Sequence, residues 1–130
     1  MSSAGFHERI HADPARLVGL RRALARWVAD LGMSVDQQQD VVLAGYEAMA
    51  NSAEHAYPAG AGGPLDVRAE CLAGEVTLVV TDYGAWKAPD PTETFRGRGR
   101  PLITALADAS ATTHRPDGTT VTMSWHLDRT

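Results

Sequence analysis

A carboxylate and a carboxamide stand four residues apart near the middle of the sequence, at Glu47 and Asn51. In a helix this spacing puts both side chains on one face. Oxygen donors of this kind suit Mg²⁺, which usually keeps several waters and shares substrate phosphates with the protein. The same spacing is common on solvated helix faces, so the pair alone leaves both interpretations open.

The second candidate feature is Asp82 with Gly84, just after the apolar run of residues 76–80. An aspartate at the end of a strand can accept a hydrogen bond from the amino group of a ligand. A glycine two residues later lets a ligand come close to the backbone. An ordinary turn after a strand uses the same residues, so this signal is also weak by itself.

The third segment is rich in glycine and arginine, with Gly97 and Gly99 interleaved among Arg96, Arg98 and Arg100. It directly precedes a predicted helix, and free amide groups at a helix N-terminus attract anions such as phosphate. A flexible basic loop is the alternative. The segment matches neither a P-loop nor the glycine pattern of dinucleotide-binding folds.

The remaining chain predicts the elements that position these residues. Apolar periodicity, caps and turn residues indicate a strand at 6–11, helices at 14–31 and 35–54, strands at 65–71 and 76–80, a helix at 101–107, and a hairpin of strands at 109–114 and 119–127. Strands joined by short turns, with the helices grouped, favour a two-layer α/β sandwich whose mostly antiparallel sheet is covered by helices on one face.

Composition restricts the possible function. The chain has 130 residues, so we expect residues 1–130 to form a single domain. A net charge of −4 makes direct nucleic-acid binding a poor hypothesis. No apolar run approaches a membrane span, and the single cysteine, Cys71, fits a reducing cytoplasm. Cys71 is expected to be buried, and His7 and His11, four apart in a strand, are not expected to bind a metal.

Four segments, taken in order, resemble the N, G1, G2 and last-strand boxes of GHKL ATPases. They are EAMANSAEHAY at 47–57, TDYGAW at 81–86, RGRGRPLI at 96–103 and GTTV at 118–121. The closest similarity is to the bacterial anti-sigma-factor serine kinases, and it covers about residues 12–127. Trp86, where many GHKL members have a second glycine, and Arg100 followed by Pro101 depart from the usual pattern.

The resemblance implies the Bergerat ATP-binding fold, with ATP and Mg²⁺ as cofactors. Asn51 would hold Mg²⁺, Glu47 would act as the general base, and Asp82 would bind the adenine amino group. The other residues implied in nucleotide binding are Gly84, Gly97, Gly99, Arg98, Arg100, Thr119 and His55.

The resemblance also implies partners. A member of this family sequesters a sigma factor, phosphorylates a serine of an anti-anti-sigma (STAS-type) protein, and commonly forms a homodimer. Two alternatives stay open. One is a non-catalytic regulatory module that binds a protein in a nucleotide-dependent way, and the other is a sensor-kinase fragment.

Overall fold

The computed structural model describes residues 4–57, 61–84 and 99–127. The elements follow the predicted order of strand, helix, helix, strand, strand, helix, strand, strand. Their bounds are β1 (Ala4–His11), α1 (Pro14–Ala29), α2 (Val35–His55), β2 (Pro64–Leu72), β3 (Glu75–Asp82), α3 (Gly99–Leu106), β4 (Ala109–Arg115) and β5 (Gly118–His126).

Both long helices begin at the capping residues that the sequence predicts. Asp13 Oδ1 accepts a hydrogen bond from the Arg16 amide at 2.9 Å. Ser34 Oγ accepts one from the Gln37 amide at 3.1 Å. These side chains satisfy amide groups that have no partner within their helix. Gly32, with a φ of +81°, lies beyond the end of α1, where a left-handed residue is typical.

Helix α2 is the longest described helix, with 21 residues, and it carries one buried stripe. The buried positions recur every three or four residues, as expected for a helix that packs on a sheet. They are Gln37, Val41, Ala44, Gly45, Ala48, Met49 and Ser52. No helix in the described part of the chain is both long and apolar enough to cross a membrane.

The five strands form one antiparallel sheet in the order β1-β2-β3-β5-β4. Strand β3 is therefore central, as its apolar run predicts. Ala73 and Gly74 join β2 to β3 with φ values of +53° and +78°. Two residues of positive φ match the right-handed twist of a hairpin.

The helices pack on one face of the sheet. Val76, Leu78 and Val80 of β3 point toward them and are fully buried. On β5, the indole Nε1 of Trp125 donates to the Leu106 carbonyl at 2.8 Å and so ties α3 to the sheet. This arrangement confirms the predicted two-layer α/β sandwich.

The structure moves two predicted helix boundaries by two residues each and corrects one predicted burial. Helix α3 begins at Gly99 rather than Pro101, because proline is tolerated throughout the first turn and need not be its first residue. Helix α1 ends at Ala29, before the expected Leu31. Cys71 is half-buried rather than buried, since it lies one residue from the end of β2.

Candidate functional site

Three predicted site residues form one row along α2. Glu47, Asn51 and His55 follow one another at intervals of four residues, so their side chains occupy successive turns of one helix face. Glu47 and Asn51 are half-buried, whereas His55, in the last turn, is exposed. The row lies next to the buried stripe of α2, so these side chains stand at the boundary between the interior and the solvent.

Asp82 lies at the end of β3 and is fully buried. Its inward position follows from the alternation of β3, which places it on the helix side together with Val80. The Asp82 Oδ1 atom accepts hydrogen bonds from the Thr119 amide at 3.2 Å and from the Gly84 amide at 3.3 Å. These two amides fix the orientation of the carboxylate against the ends of β3 and β5.

Glycine is required by packing at two positions around Asp82. A Cβ atom at Gly84 would collide with the carbonyl oxygen of Ala56, at the end of α2. A Cβ atom at Gly118 would collide with the carbonyl oxygen of Asp82 itself. The main chain therefore approaches the carboxylate from two sides without a side chain in between.

Thr119 is buried beside Asp82, its register partner across β3 and β5. The Thr119 hydroxyl lies 3.0 Å from Nδ1 of His114 on the neighbouring strand β4. The predicted adenine-side pair is thus adjacent on the helix side of the sheet, with His114 extending the polar group toward the edge strand.

Tyr57 supports this end of the site, although the sequence gives it no special role. Its hydroxyl donates to the Pro64 carbonyl and accepts a hydrogen bond from the Tyr83 amide at 3.0 Å. Burial is the main cause that raises the pKa of Tyr57 above 10.0. Tyr57 joins the end of α2 and the start of β2 to the residue after Asp82.

Ser52 is a second buried polar residue that the sequence does not single out. Ser52 has 0% exposure to solvent. Its hydroxyl makes no hydrogen bond in the described structure. The helical periodicity of α2 could have identified it, because a residue four positions after the inward-facing Ala48 also faces inward.

The predicted phosphate-side residues are only partly described. Gly97 and Arg98, like Trp86, lie outside the described residues. Gly99 and Arg100 form the first two residues of α3, whereas the sequence predicted them in the loop before it.

The polar groups at this end of the sheet could bind a ligand that carries an amino group. An oriented carboxylate can accept hydrogen from an exocyclic amino group, and the buried Ser52 hydroxyl retains hydrogen-bonding capacity. No group of three or more His, Cys, Asp or Glu side chains in the described ranges could enclose a metal ion. Mg²⁺ is commonly bound by one or two protein groups together with substrate phosphates.

Comparison with protein families confirms the similarity to GHKL ATPases. A family model described as the histidine kinase-like ATPase domain matches residues 10–125. The chain belongs to this family. Membership implies that the ATPase domain binds ATP.

Individual relatives confirm the resemblance to anti-sigma-factor kinases. Proteins named anti-sigma F factor, from two Clostridium botulinum strains, are 38% identical to this ATPase domain over 64 residues, which is 49% of the chain and 45% of theirs. A crystal structure of the RsbU and RsbW domains of a Mycobacterium tuberculosis protein superposes with a TM-score of 0.79 and 27% identity. It covers 98% of this chain and 33% of that one. The chain thus spans less than half the length of these relatives.

Proposed function

We propose that the protein is an ATP-binding anti-sigma-factor serine kinase, with residues 1–130 acting as a single nucleotide-binding domain. The observation that carries the proposal is the buried Asp82 carboxylate, oriented by the amides of Gly84 and Thr119 at the end of the central strand. In a histidine kinase-like ATPase domain, such a carboxylate is suited to accept hydrogen from the adenine amino group.

The roles proposed for the other residues follow from their chemistry. Asn51 would contribute a carboxamide oxygen to Mg²⁺. Gly97, Gly99, Arg98 and Arg100 would bind the phosphates. Thr119 would line the adenine pocket, where Gly84 leaves the base room to pack, and His55 would border the site.

Glu47 is the proposed general base. ATP would supply the γ-phosphoryl group: the serine oxygen would form a bond to the γ-phosphorus while the bond to the β–γ bridging oxygen breaks and ADP leaves. Glu47 lies one helical turn before Asn51, so its carboxylate is suited to accept the proton of a serine hydroxyl held next to the metal. Its half-buried position shields it in part from water while leaving it accessible to a protein substrate.

The proposed partners come from the relatives. Because relatives are named anti-sigma F factor, we propose a sigma factor as the protein that this domain sequesters. The pairing of RsbU and RsbW domains in the similar crystal structure is consistent with a switch in which an anti-anti-sigma protein of STAS type is the serine substrate. The domain is proposed to act in the cytoplasm as a homodimer.

A pair of variants on α2 tests the kinase proposal. We expect Asn51→Ala to weaken Mg²⁺-dependent ATP binding about 10- to 100-fold, as loss of a metal-site group does. We expect Glu47→Gln to bind ATP normally and to slow transfer of labelled γ-phosphate by at least about 100-fold. Calorimetry measures the first effect, and labelling of a candidate anti-anti-sigma protein measures the second.

Glu70→Gln is the matched control, since Glu70 is an exposed carboxylate on the opposite face of the sheet. It should leave both measurements unchanged. Absence of ATP binding by the wild type would refute the nucleotide site. Binding of ATP and of a sigma factor without any phosphotransfer would instead establish the non-catalytic regulatory module.

A further inference from the structure

The hydroxyl of Ser52 is an unusual feature of the interior. It is the one buried side-chain polar atom in the described part of the chain that has no hydrogen-bond partner. Buried polar atoms are nearly always paired, and an exception calls for a ligand, a water or a functional role. A serine inside a helix can bond to the carbonyl one turn earlier, but Ser52 does not do so.

Two close contacts fix how α2 lies along β3. A Cβ atom at Gly45 would lie 2.8 Å from Cδ2 of Leu78, and one at Gly84 would meet the Ala56 carbonyl. The residue numbers of the two elements therefore rise together, from Gly45 beside Leu78 to Ala56 beside Gly84. Eleven helical residues advance about 16 Å and six extended residues about 20 Å, so the two spans correspond.

Ser52 falls about two-thirds of the way along this span, which is level with Asp82. Both residues point into the space between the helix layer and the sheet, and both have 0% exposure. The neighbouring Thr119 hydroxyl is already engaged with His114. The Ser52 hydroxyl is thus an unpaired polar group at the same level of the interlayer space as the carboxylate of the proposed adenine pocket.

The chemistry of adenine complements this pair. The exocyclic amino group is a donor, and the ring nitrogens N1 and N7 on either side of it are acceptors. An ionised aspartate can only accept hydrogen bonds, so it can meet the amino group but neither ring nitrogen. A hydroxyl can supply the missing donor.

We propose that Ser52 Oγ donates a hydrogen bond to the adenine ring nitrogen beside the amino group, either directly or through one bound water. The inference rests on the proposed ATP site and deepens it, because it makes Ser52 a residue that selects the base. The hydroxyl has no protein partner in the described structure, and a bound nucleotide would satisfy it.

The test is the affinity of Ser52→Ala for ATP and for two analogues, 1-deaza-ATP and 7-deaza-ATP, measured by calorimetry. We expect the variant to bind ATP about three- to tenfold more weakly, the effect of one neutral hydrogen bond. One deaza analogue, the one that lacks the accepting nitrogen, should bind equally to wild type and variant. Without nucleotide, the melting temperature of Ser52→Ala should equal or exceed that of the wild type, because the change removes an unsatisfied hydroxyl.

Ser124→Ala, on the opposite face of β5, is the control and should change none of these values. Unchanged ATP affinity in Ser52→Ala, or an equal loss with ATP and both analogues, would overturn the inference. Failure of the wild type to bind ATP would overturn the proposed site and this inference together. If the wild type binds and the variant matches it, only the role of Ser52 is refuted.

Discussion

Asp66 and Asp82 are buried carboxylates on neighbouring strands, and they lie on opposite faces of the same sheet. The register pairs Asp66 with Thr81 and Asp82 with Leu65, so the two aspartates are one step apart along the strands. Asp82 points toward the helices, and Asp66 points to the open face. Their exposures are 0% and 6%, so burial does not distinguish them.

The partners of the two carboxylates do distinguish them. Asp66 is bonded to His7 Nε2 at 2.5 Å and to the Tyr83 hydroxyl at 3.1 Å, and Arg9 lies 3.7 Å away. Burial raises the pKa of Asp66, but the hydrogen bonds from His7 and Tyr83 outweigh it, so the pKa is lowered. Side chains from β1 and from the residue after β3 thus hold Asp66 in its ionised form.

Asp82 instead takes two hydrogen bonds from backbone amides, those of Gly84 and Thr119. Its orientation is set by main chain that belongs to the proposed site. A carboxylate surrounded by side chains on the open face joins strands to one another. A carboxylate held by the main chain in the interlayer space presents a fixed acceptor to a ligand. The comparison predicts stability effects at Asp66 and binding effects at Asp82.

The largest expected effect is the loss of nucleotide affinity in Asp82→Asn. Asparagine keeps an oxygen for the two amides, so the fold should persist. It lacks the charge, however, and its own amino group would face that of adenine. We expect ATP affinity to fall about 100-fold, as loss of a charged hydrogen bond does. Calorimetry at pH 7 measures this change.

Asp66→Asn is the matched control, since it makes the same chemical change on the opposite face. Its ATP affinity should stay within about threefold of the wild type, because a side chain on the open face is separated from the proposed ligand site by the sheet. Equal losses of affinity in the two variants would show that the functional division between the faces is wrong.

A smaller effect is expected on stability, where Asp66→Asn should lower the free energy of unfolding at pH 7 by about 1–3 kcal/mol. The pKa of Asp66 is below its ordinary 3.8, so its contribution is complete above that pH. The contribution is lost as the pH falls through the folded-state pKa. Urea unfolding should therefore show that the difference in unfolding free energy between wild type and variant is smaller below pH 4 than at pH 7.

Glu70→Gln, on the same strand but exposed, should change the unfolding free energy by no more than about 0.5 kcal/mol. A gap for Asp66→Asn that stays constant at acid pH would contradict the assignment of its stability to the ionised form. A Glu70→Gln effect of similar size would contradict the importance of burial.

Local features of this fold were predictable from the sequence. The caps at Asp13 and Ser34 depend only on residues three positions away, and the central place of β3 follows from its apolar run. Asp66 was not predictable as a buried residue. The alternation of β2 puts it on the solvent side, and its burial arises from neighbours such as His7, 59 residues away.

The candidate site divides in the same way. Asp82 and Gly84 could be singled out from the sequence because they follow an apolar strand in a recognisable order, and the structure places them in contact at the end of β3. The collision that requires glycine at position 118 involves the carbonyl of Asp82, a contact between strands that no local pattern contains. The contact between Tyr57 and Tyr83 is equally invisible, since it depends on where α2 ends relative to the sheet.

The smallest expected effect is that of Tyr83→Phe, which tests whether the two carboxylates are coupled. Tyr83 donates to Asp66 through its hydroxyl and follows Asp82 in the chain, so it connects the two carboxylates. Its side chain is 43% exposed, so water can replace much of the lost bond, and Phe keeps the contact with the Arg9 guanidinium. We expect a loss of stability below about 1 kcal/mol and a change in ATP affinity below about twofold.

The amide of Tyr83 remains bonded to Tyr57 in the variant, and this bond holds the main chain beside Asp82. A loss of affinity that approaches that of Asp82→Asn would mean that Asp66 positions Asp82 through Tyr83, and the two faces would then form one functional unit.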